Sequence, residues 1–294
     1  MRLLILTMQA ISKLKYSLTF NQSLDNIINI LKIATSMQLR QFQAKSWEQK
    51  RFLGEINNSL AFLSKKDVRQ HQFVTREKQS PKGIVVITSD EGFLGELNSL
   101  LINGAMAEKK SADDVLIIIG TKGAQYLRGL KQNHLYFSGV RGDNYFNESH
   151  KVKQYIIQEY LANKFNQIII IYAEFVSITS QRVRRQVLLP FPISDLKGLS
   201  ERRKESDKTL LIEPSAERII EGLISLNLDY SLRRILYSSK LSELAARLMH
   251  LERSYQELSR KNKQLSMEYF KSLHAQADKR IREISASRMM KKKD

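Results

Sequence analysis

No glycine or proline occurs before Gly54 or after Gly222. Both residues punctuate helices, so their absence over such lengths lets each end of the chain run as one long helix. From Leu241 the apolar residues step by alternating threes and fours through Leu244, Leu248, Leu251, Tyr255 and Leu258, then Leu265 and Tyr269, with Asn262 at the one polar position between. That spacing is a coiled-coil seam in which a lone Asn sets register at some cost in stability. The seam then shifts phase to Leu273, Ala277, Ile281 and Ile284. Leu24, Ile28 and Leu31, and then Leu53, Ile56, Leu60 and Leu63, repeat the spacing near the other end, so the chain carries both strands of its own coil. About 70 uninterrupted helical residues at ~1.5 Å each span about 100 Å, several times the width of a compact domain.

Between the ends the pattern changes to short β-branched runs at Ile84 to Thr88, Val115 to Ile119 and Gln167 to Phe175. Continuous apolar strands of this kind are buried on both faces, as in a parallel sheet flanked by helices. Helical segments fit between them at Leu97 to Lys110, Ala124 to Lys131 and Lys151 to Lys164. The expected fold is therefore α/β: a long antiparallel coiled coil of the terminal helices (1–66 and 216–294) with a Rossmann-like α/β domain (67–215) inserted between them. Leu196 to Lys208 mixes charges of both signs with few apolar residues and reads as an exposed, mobile loop.

The net charge of +18 is unevenly spread. Residues 1–66 hold ten basic and three acidic side chains, residues 233–294 sixteen and seven, and the rest twenty-two and twenty. An extended basic element of this kind suits an acidic or phosphorylated partner. One reading is a basic coiled-coil protein that binds nucleic acid, although aromatic residues for base stacking are sparse at the basic end.

The chain has no cysteine, which excludes disulfides and a thiol nucleophile, and no two of its five histidines stand at metal-binding helical spacing. The apolar run Leu3 to Leu6 is far shorter than the ~18 residues of a membrane span, so the chain reads as neither secreted nor inserted. Thr88 to Asn98 follows a strand and opens a helix, where α/β proteins bind phosphates. Its two glycines, Gly92 and Gly95, match neither the dinucleotide fingerprint nor the phosphate loop, so a nucleotide-binding enzyme built on Asp90 is the less favoured alternative. Asp90 reads as a helix cap, and Glu91, Asp113 and Asp114 as solvated charges. No serine in a nucleophile elbow accompanies the histidines, and no catalytic residue, cofactor or metal is assigned.

Several strings resemble one family, the gamma subunits of F-type ATP synthases. Ser242-Glu243-Leu244-Ala245-Ala246-Arg247-Leu248-Met249 resembles that family's Ser-Glu-His-Ala-Ala-Arg-Met-Met, and Thr88 to Asn98 its Thr-Ser-Asp-Arg-Gly-Leu-Cys-Gly-Gly-Leu-Asn. Ile212-Glu213-Pro214-Ser215, Val187-Leu188-Leu189-Pro190 and Ile27 to Gln43 are similar to further family segments, in the family's order. Departures stand at Glu91, Leu94 and Glu96, at Leu31, and in the tail Arg288-Met289-Met290-Lys291-Lys292-Lys293. Leu39-Arg40-Gln41-Phe42 also resembles the gamma subunits of alternative F-type ATPases, some of them thought to pump sodium ions.

The resemblance implies a non-catalytic rotor. Its paired helices would enter a ring of three alpha and three beta subunits, with the α/β domain outside beside epsilon and the membrane c-ring. It would be present once per complex, bind no nucleic acid, and lie peripherally on the cytoplasmic face of a bacterial inner membrane. Leu39, Arg40, Glu243, Arg247, His274 and Asp278 are the expected contacts with the ring, Arg247 through a charge-assisted contact with an acidic beta-subunit loop.

Overall fold

The computed structural model describes residues 2–44, 47–62, 73–74, 81–139, 145–191, 213 and 215–290. The loop expected at 196–208, residues 212 and 214 of the segment at 212–215 and the end of the basic tail lie outside them. The elements are α1 (Arg2–Ala44), α2 (Trp47–Phe62), β1 (Lys82–Ile87), α3 (Leu97–Glu108), β2 (Val115–Ile119), α4 (Thr121–Gly129), β3 (His134–Phe137), α5 (Tyr145–Leu161), β4 (Gln167–Phe175), β5 (Gln181–Leu189) and α6 (Ala216–Met290). The chain divides into two compact units, one of residues 37–249 and one formed by the residues up to 36 with those from 250 onward.

The larger unit is built on a five-stranded sheet in the order β3-β2-β1-β4-β5, parallel except for β5. The three expected strands are its centre, and the run of isoleucines in β4 shows why it reads as continuously apolar. Ile168 and Ile170 point into one core and Ile169 and Ile171 into the other. The first core lies under α2, α5 and the start of α6, with Ile56, Leu60, Ile156, Ile220, Ile224 and Leu228. The second lies under α3 and α4, with Leu101, Ile102, Ala124 and Leu127. The edge strands were not legible from hydropathy. β3 has only four residues, and β5 (Gln-Arg-Val-Arg-Arg-Gln-Val-Leu-Leu) carries outward arginines, which keep an exposed edge from pairing with other chains. Arg185 pairs with Glu108 at 2.6 Å and Arg184 with Glu174 at 3.3 Å.

Two expectations about carboxylates change. Asp114 is not a solvated charge: it is 2% exposed and accepts the backbone N–H groups of Lys82, Lys110 and Ser111, tying the start of β1 to the turn before β2. Asp90 is a cap, but of α4 and not of the helix after its own loop: its Oδ1 accepts from both the N–H and the hydroxyl of Thr121. That arrangement needs glycine at two places. At Gly120 the backbone is left-handed (φ +106°) and a Cβ would stand 2.3 Å from the Thr88 carbonyl oxygen. At Gly139 a Cβ would strike the Asp90 carboxylate at 2.4 Å.

In the smaller unit α1 and α6 pair antiparallel: Lys32 meets Glu252 and lies over the Tyr255 ring, while Asp25, earlier in the chain, shares a cleft with Asn262 and Ser266, later in it. The seam on α6 follows the expected spacing from Leu251 to Leu273. On α1 Leu24 and Ile28 hold the expected positions, but at the next step Leu31 is 37% exposed and Lys32 takes the inner position. A long lysine can lay its stem along the seam and keep its charge at the rim, so hydropathy alone picks the wrong neighbour. The phase expected beyond Leu273 also differs, because Ala277, Ile281 and Ile284 are exposed. Asn262 is at the seam as expected, and its Oδ1 and that of Asp25 are buried there without hydrogen-bond partners.

The Lys32 ammonium, 2.5 Å from Glu252, holds that carboxyl below its ordinary value of 4.5, and Gln256 adds a second hydrogen bond. A depressed carboxylate stabilises the fold above its unfolded value and loses that contribution as pH falls through the folded one. Lys32→Met should therefore lower the thermal melting midpoint modestly at pH 7. The difference from wild type should shrink below pH 4.5 as Glu252 is protonated in both, leaving the contact of Lys32 with the Tyr255 ring.

Candidate functional site

In a doubly wound sheet ligands bind beyond the carboxyl ends of the strands, where the strand order reverses. Here that point lies between β1 and β4, and α6 occupies it. Two serines let the helix come close. Ser242 donates its hydroxyl to the Ala173 carbonyl at 3.0 Å, and the Phe175 N–H donates to the Ser238 hydroxyl at 3.1 Å, both at the end of β4. One turn further on, Arg247 binds the loop after β1: its Nη1 is 2.5 Å from Glu91 Oε2, its Nε donates to the Gly92 carbonyl, and its Nη2 donates to Glu243 at 2.9 Å. Glu243 also takes Lys240 at 2.8 Å. Between helix and strands a space of only about 20 Å3 is left beside Thr88, Asp90, Gly139 and Glu243, enough for about one water.

No nucleotide fits there, and the loop's polar groups are turned to other work. Thr88 donates its hydroxyl to the Ile119 carbonyl and accepts from the Gly123 N–H, while Asn98 closes the loop onto Ser89. The reading of Asp90 as part of a nucleotide pocket is thereby set aside. Burial raises the hydroxyls of Tyr155 and Tyr172 above their ordinary value of 10.0, further from proton exchange at neutral pH. Among the described residues no group of three or more histidines and carboxylates could hold a metal.

The six expected contact residues divide into two sets. Leu39 is 2% exposed and packs with Tyr237, Leu241 and Leu244, where the Phe42 ring lies tilted against that of Tyr237 and the Phe42 carbonyl accepts the Tyr237 hydroxyl. Glu243 and Arg247 are buried in the network just described, so the residue expected to reach outward is 8% exposed and each of its three guanidinium nitrogens is bonded within the chain. Arg40, His274 and Asp278 are exposed. Sequence reasoning gave no role to Ser238 or Ser242. Their spacing of four on a leucine-rich helix is the available signal, because small polar residues at one helical face allow close backbone approach. Glu91, where the family strings carry Arg, is the partner that turns the Arg247 contact into an ion pair.

A long helix lying across the ligand crevice of an α/β domain, and pairing with a second helix elsewhere along its length, defines a shaft-type subunit and not a nucleotide-binding one. The model of the ATP synthase family matches residues 11–288. An ATP synthase gamma chain of Cytophaga hutchinsonii is 27% identical over 94% of this chain and 97% of its own, and one of Desulfitobacterium hafniense 27% over 77% and 79%. In structure, a chain of the Euglena gracilis mitochondrial ATP synthase rotor superposes with a TM-score of 0.63 at 16% identity, covering 92% of this chain and 99% of that one. A chain of the Tetrahymena thermophila central stalk and c-ring structure gives 0.58 at 19%, covering 78% and 99%. The protein belongs to the ATP synthase gamma family and is a central-stalk subunit of that rotary machine.

Removing Arg247 leaves the Glu243 carboxylate buried with Lys240 alone. Arg247→Ala should lower stability by about 3 kcal/mol, the usual cost of breaking a buried pair. Glu91→Gln, at the solvated end of the same network, should cost no more than about 1 kcal/mol. Thermal or urea melts of both variants check the order.

Proposed function

We propose that this subunit turns inside a ring of alpha and beta subunits, with epsilon and the membrane c-ring on the side of its α/β domain, one copy per complex. It would lie peripherally on the cytoplasmic face of a bacterial inner membrane. Among the described residues no helix is long and apolar enough to cross a membrane.

The observation that carries the reading is the outer face of the helical unit. Beyond the seam, α1 exposes Tyr16, Phe20, Ile27 and Ile30, and α6 exposes Met267, Phe270, Ile281 and Ile284. Each set recurs at heptad spacing, making a second apolar stripe per helix, and apolar stripes of that extent on a basic helical pair mark a surface that a partner covers. A sleeve of subunits suits them, with apolar contact allowing sliding and the basic residues around them meeting acidic loops. Arg40, His274 and Asp278 meet the ring directly. Leu39, Glu243 and Arg247 act from beneath, by holding the surface that does.

The mechanism follows from asymmetry. An off-axis shaft touches three otherwise identical sites differently, so each turn moves every site among states of different nucleotide affinity. Linkage makes the coupling reciprocal: nucleotide turnover drives rotation, and rotation driven by ion flow drives synthesis. The shaft contributes stiffness and shape but no reacting group.

Ile281→Asp combined with Ile284→Asp checks this. Both positions are exposed, so the melting of the isolated chain should change by no more than about 0.5 kcal/mol, while recovery of a complex with alpha and beta subunits should fall severalfold. Undiminished recovery would remove the support for a sleeve at this end. Arg40→Ala with Asp278→Ala should leave assembly intact and lower ATP turnover several-fold.

A further inference from the structure

The larger unit holds a second feature, apart from the junction of α6 with the sheet's carboxyl edge. Where α2, β5 and α6 meet there is a cavity of about 330 Å3. Among the described residues its wall carries one charged group, Arg234, and no carboxylate. The preceding residue, Arg233, is bound to Asp229, and Arg247 has Glu243 and Glu91. Among the described residues Arg234 meets the side-chain oxygen of Gln186, 3.3 Å from its Nη2, while its Nε is buried without a partner there. A partly buried guanidinium facing only a neutral amide is a costly arrangement unless something anionic completes it.

The rest of the polar wall is oriented the same way. Asn227 and Ser231 are each 7% exposed. Ser231 donates to Asn227 Oδ1 at 3.1 Å, and Asn227 donates to Asn57 Oδ1 at 2.7 Å. The Gln186 oxygen is taken by Arg234. The side-chain oxygens of these amides are thus engaged as acceptors within the protein, which leaves N–H donors of Asn57, Gln186 and Arg234 for the cavity. A pocket of donors around a single cation, floored by apolar residues, is complementary to a small oxyanion.

We propose that this cavity binds a small oxyanion, a phosphate or a carboxylate, held by Arg234 with Gln186 and Asn57. The site is separate from the shaft contacts and does not depend on the rotor reading.

Gly54 supplies an independent way to block it. It stands on α2 in the cavity lining, and a Cβ added there meets nothing within 4 Å, so the backbone has room for a side chain at this point of the wall. The experiment is calorimetric titration of the full-length chain with inorganic phosphate and, separately, with malonate. Ionic strength is held with chloride, so that the +18 net charge contributes equally throughout. The wild-type chain should bind at least one of the two saturably at one per chain, and which one binds identifies the source. Arg234→Gln should weaken binding at least about tenfold, and Gly54→Phe should abolish it while the circular dichroism spectrum stays that of the wild type. Absence of saturable binding by the wild type would overturn the proposal. So would binding retained in Gly54→Phe, which decides the question even where Arg234→Gln does not fold.

Discussion

The structure depends on the way α6 is fixed across the carboxyl edge of the sheet. A helix of 75 residues cannot stabilise itself along such a length by propensity alone; it needs apolar burial on a face that it presents to something else. Its first part finds that burial in the sheet's core through Ile220, Ile224, Leu228 and Ile235, and a later part finds it in the seam with α1. Between them Tyr237, Leu241 and Leu244 pack on Leu39, and Ser238, Ser242, Glu243 and Arg247 add directed bonds to that apolar contact. Hydrophobic packing tolerates a sliding helix, whereas a hydroxyl aimed at one carbonyl and a guanidinium shared by Glu91, Glu243 and the Gly92 carbonyl admit one position.

That position also accounts for the fate of the Rossmann-like site. The sheet retains the parallel strands, the topological switch point and a loop after β1 that opens a helix. What it lacks is space, because the helix lies where a nucleotide would. Asp90, Thr88 and Gly139 then serve the loop–helix junction: a carboxylate caps α4, a hydroxyl joins two strands, and a glycine makes room for the carboxylate. A fold that elsewhere binds ligands here binds a part of its own chain, an instance of function residing in the site and not in the fold.

The helical unit shows the reverse economy. Its seam is diluted with polar residues, Asn262 and Asp25 among them, while apolar residues such as Phe20, Ile30 and Phe270 are left outside. A self-sufficient coiled coil would place them the other way. Polar groups in the seam select one register at the expense of stability, and the outward stripe gains its burial only when another protein is added.

The amino-acid sequence by itself determined the class of architecture. Helix breakers are absent from the ends, the apolar period is near 3.5 there, and β-branched runs fill the middle; these are local properties that survive without knowledge of contacts. It also carried the family strings. It did not distinguish Leu31 from Lys32 as the inner residue of α1, because both lie near one face and only the partner helix decides which is covered. Nor did it show that Asp114 is buried, that Arg247 turns inward, or that Arg234 lines a cavity. The burial of a charge depends on residues far away in sequence, such as Lys82 for Asp114, Glu91 for Arg247 and Gln186 for Arg234. Tertiary structure alone brings those partners within hydrogen-bond distance, where a few ångströms separate a solvated charge from a fixed one.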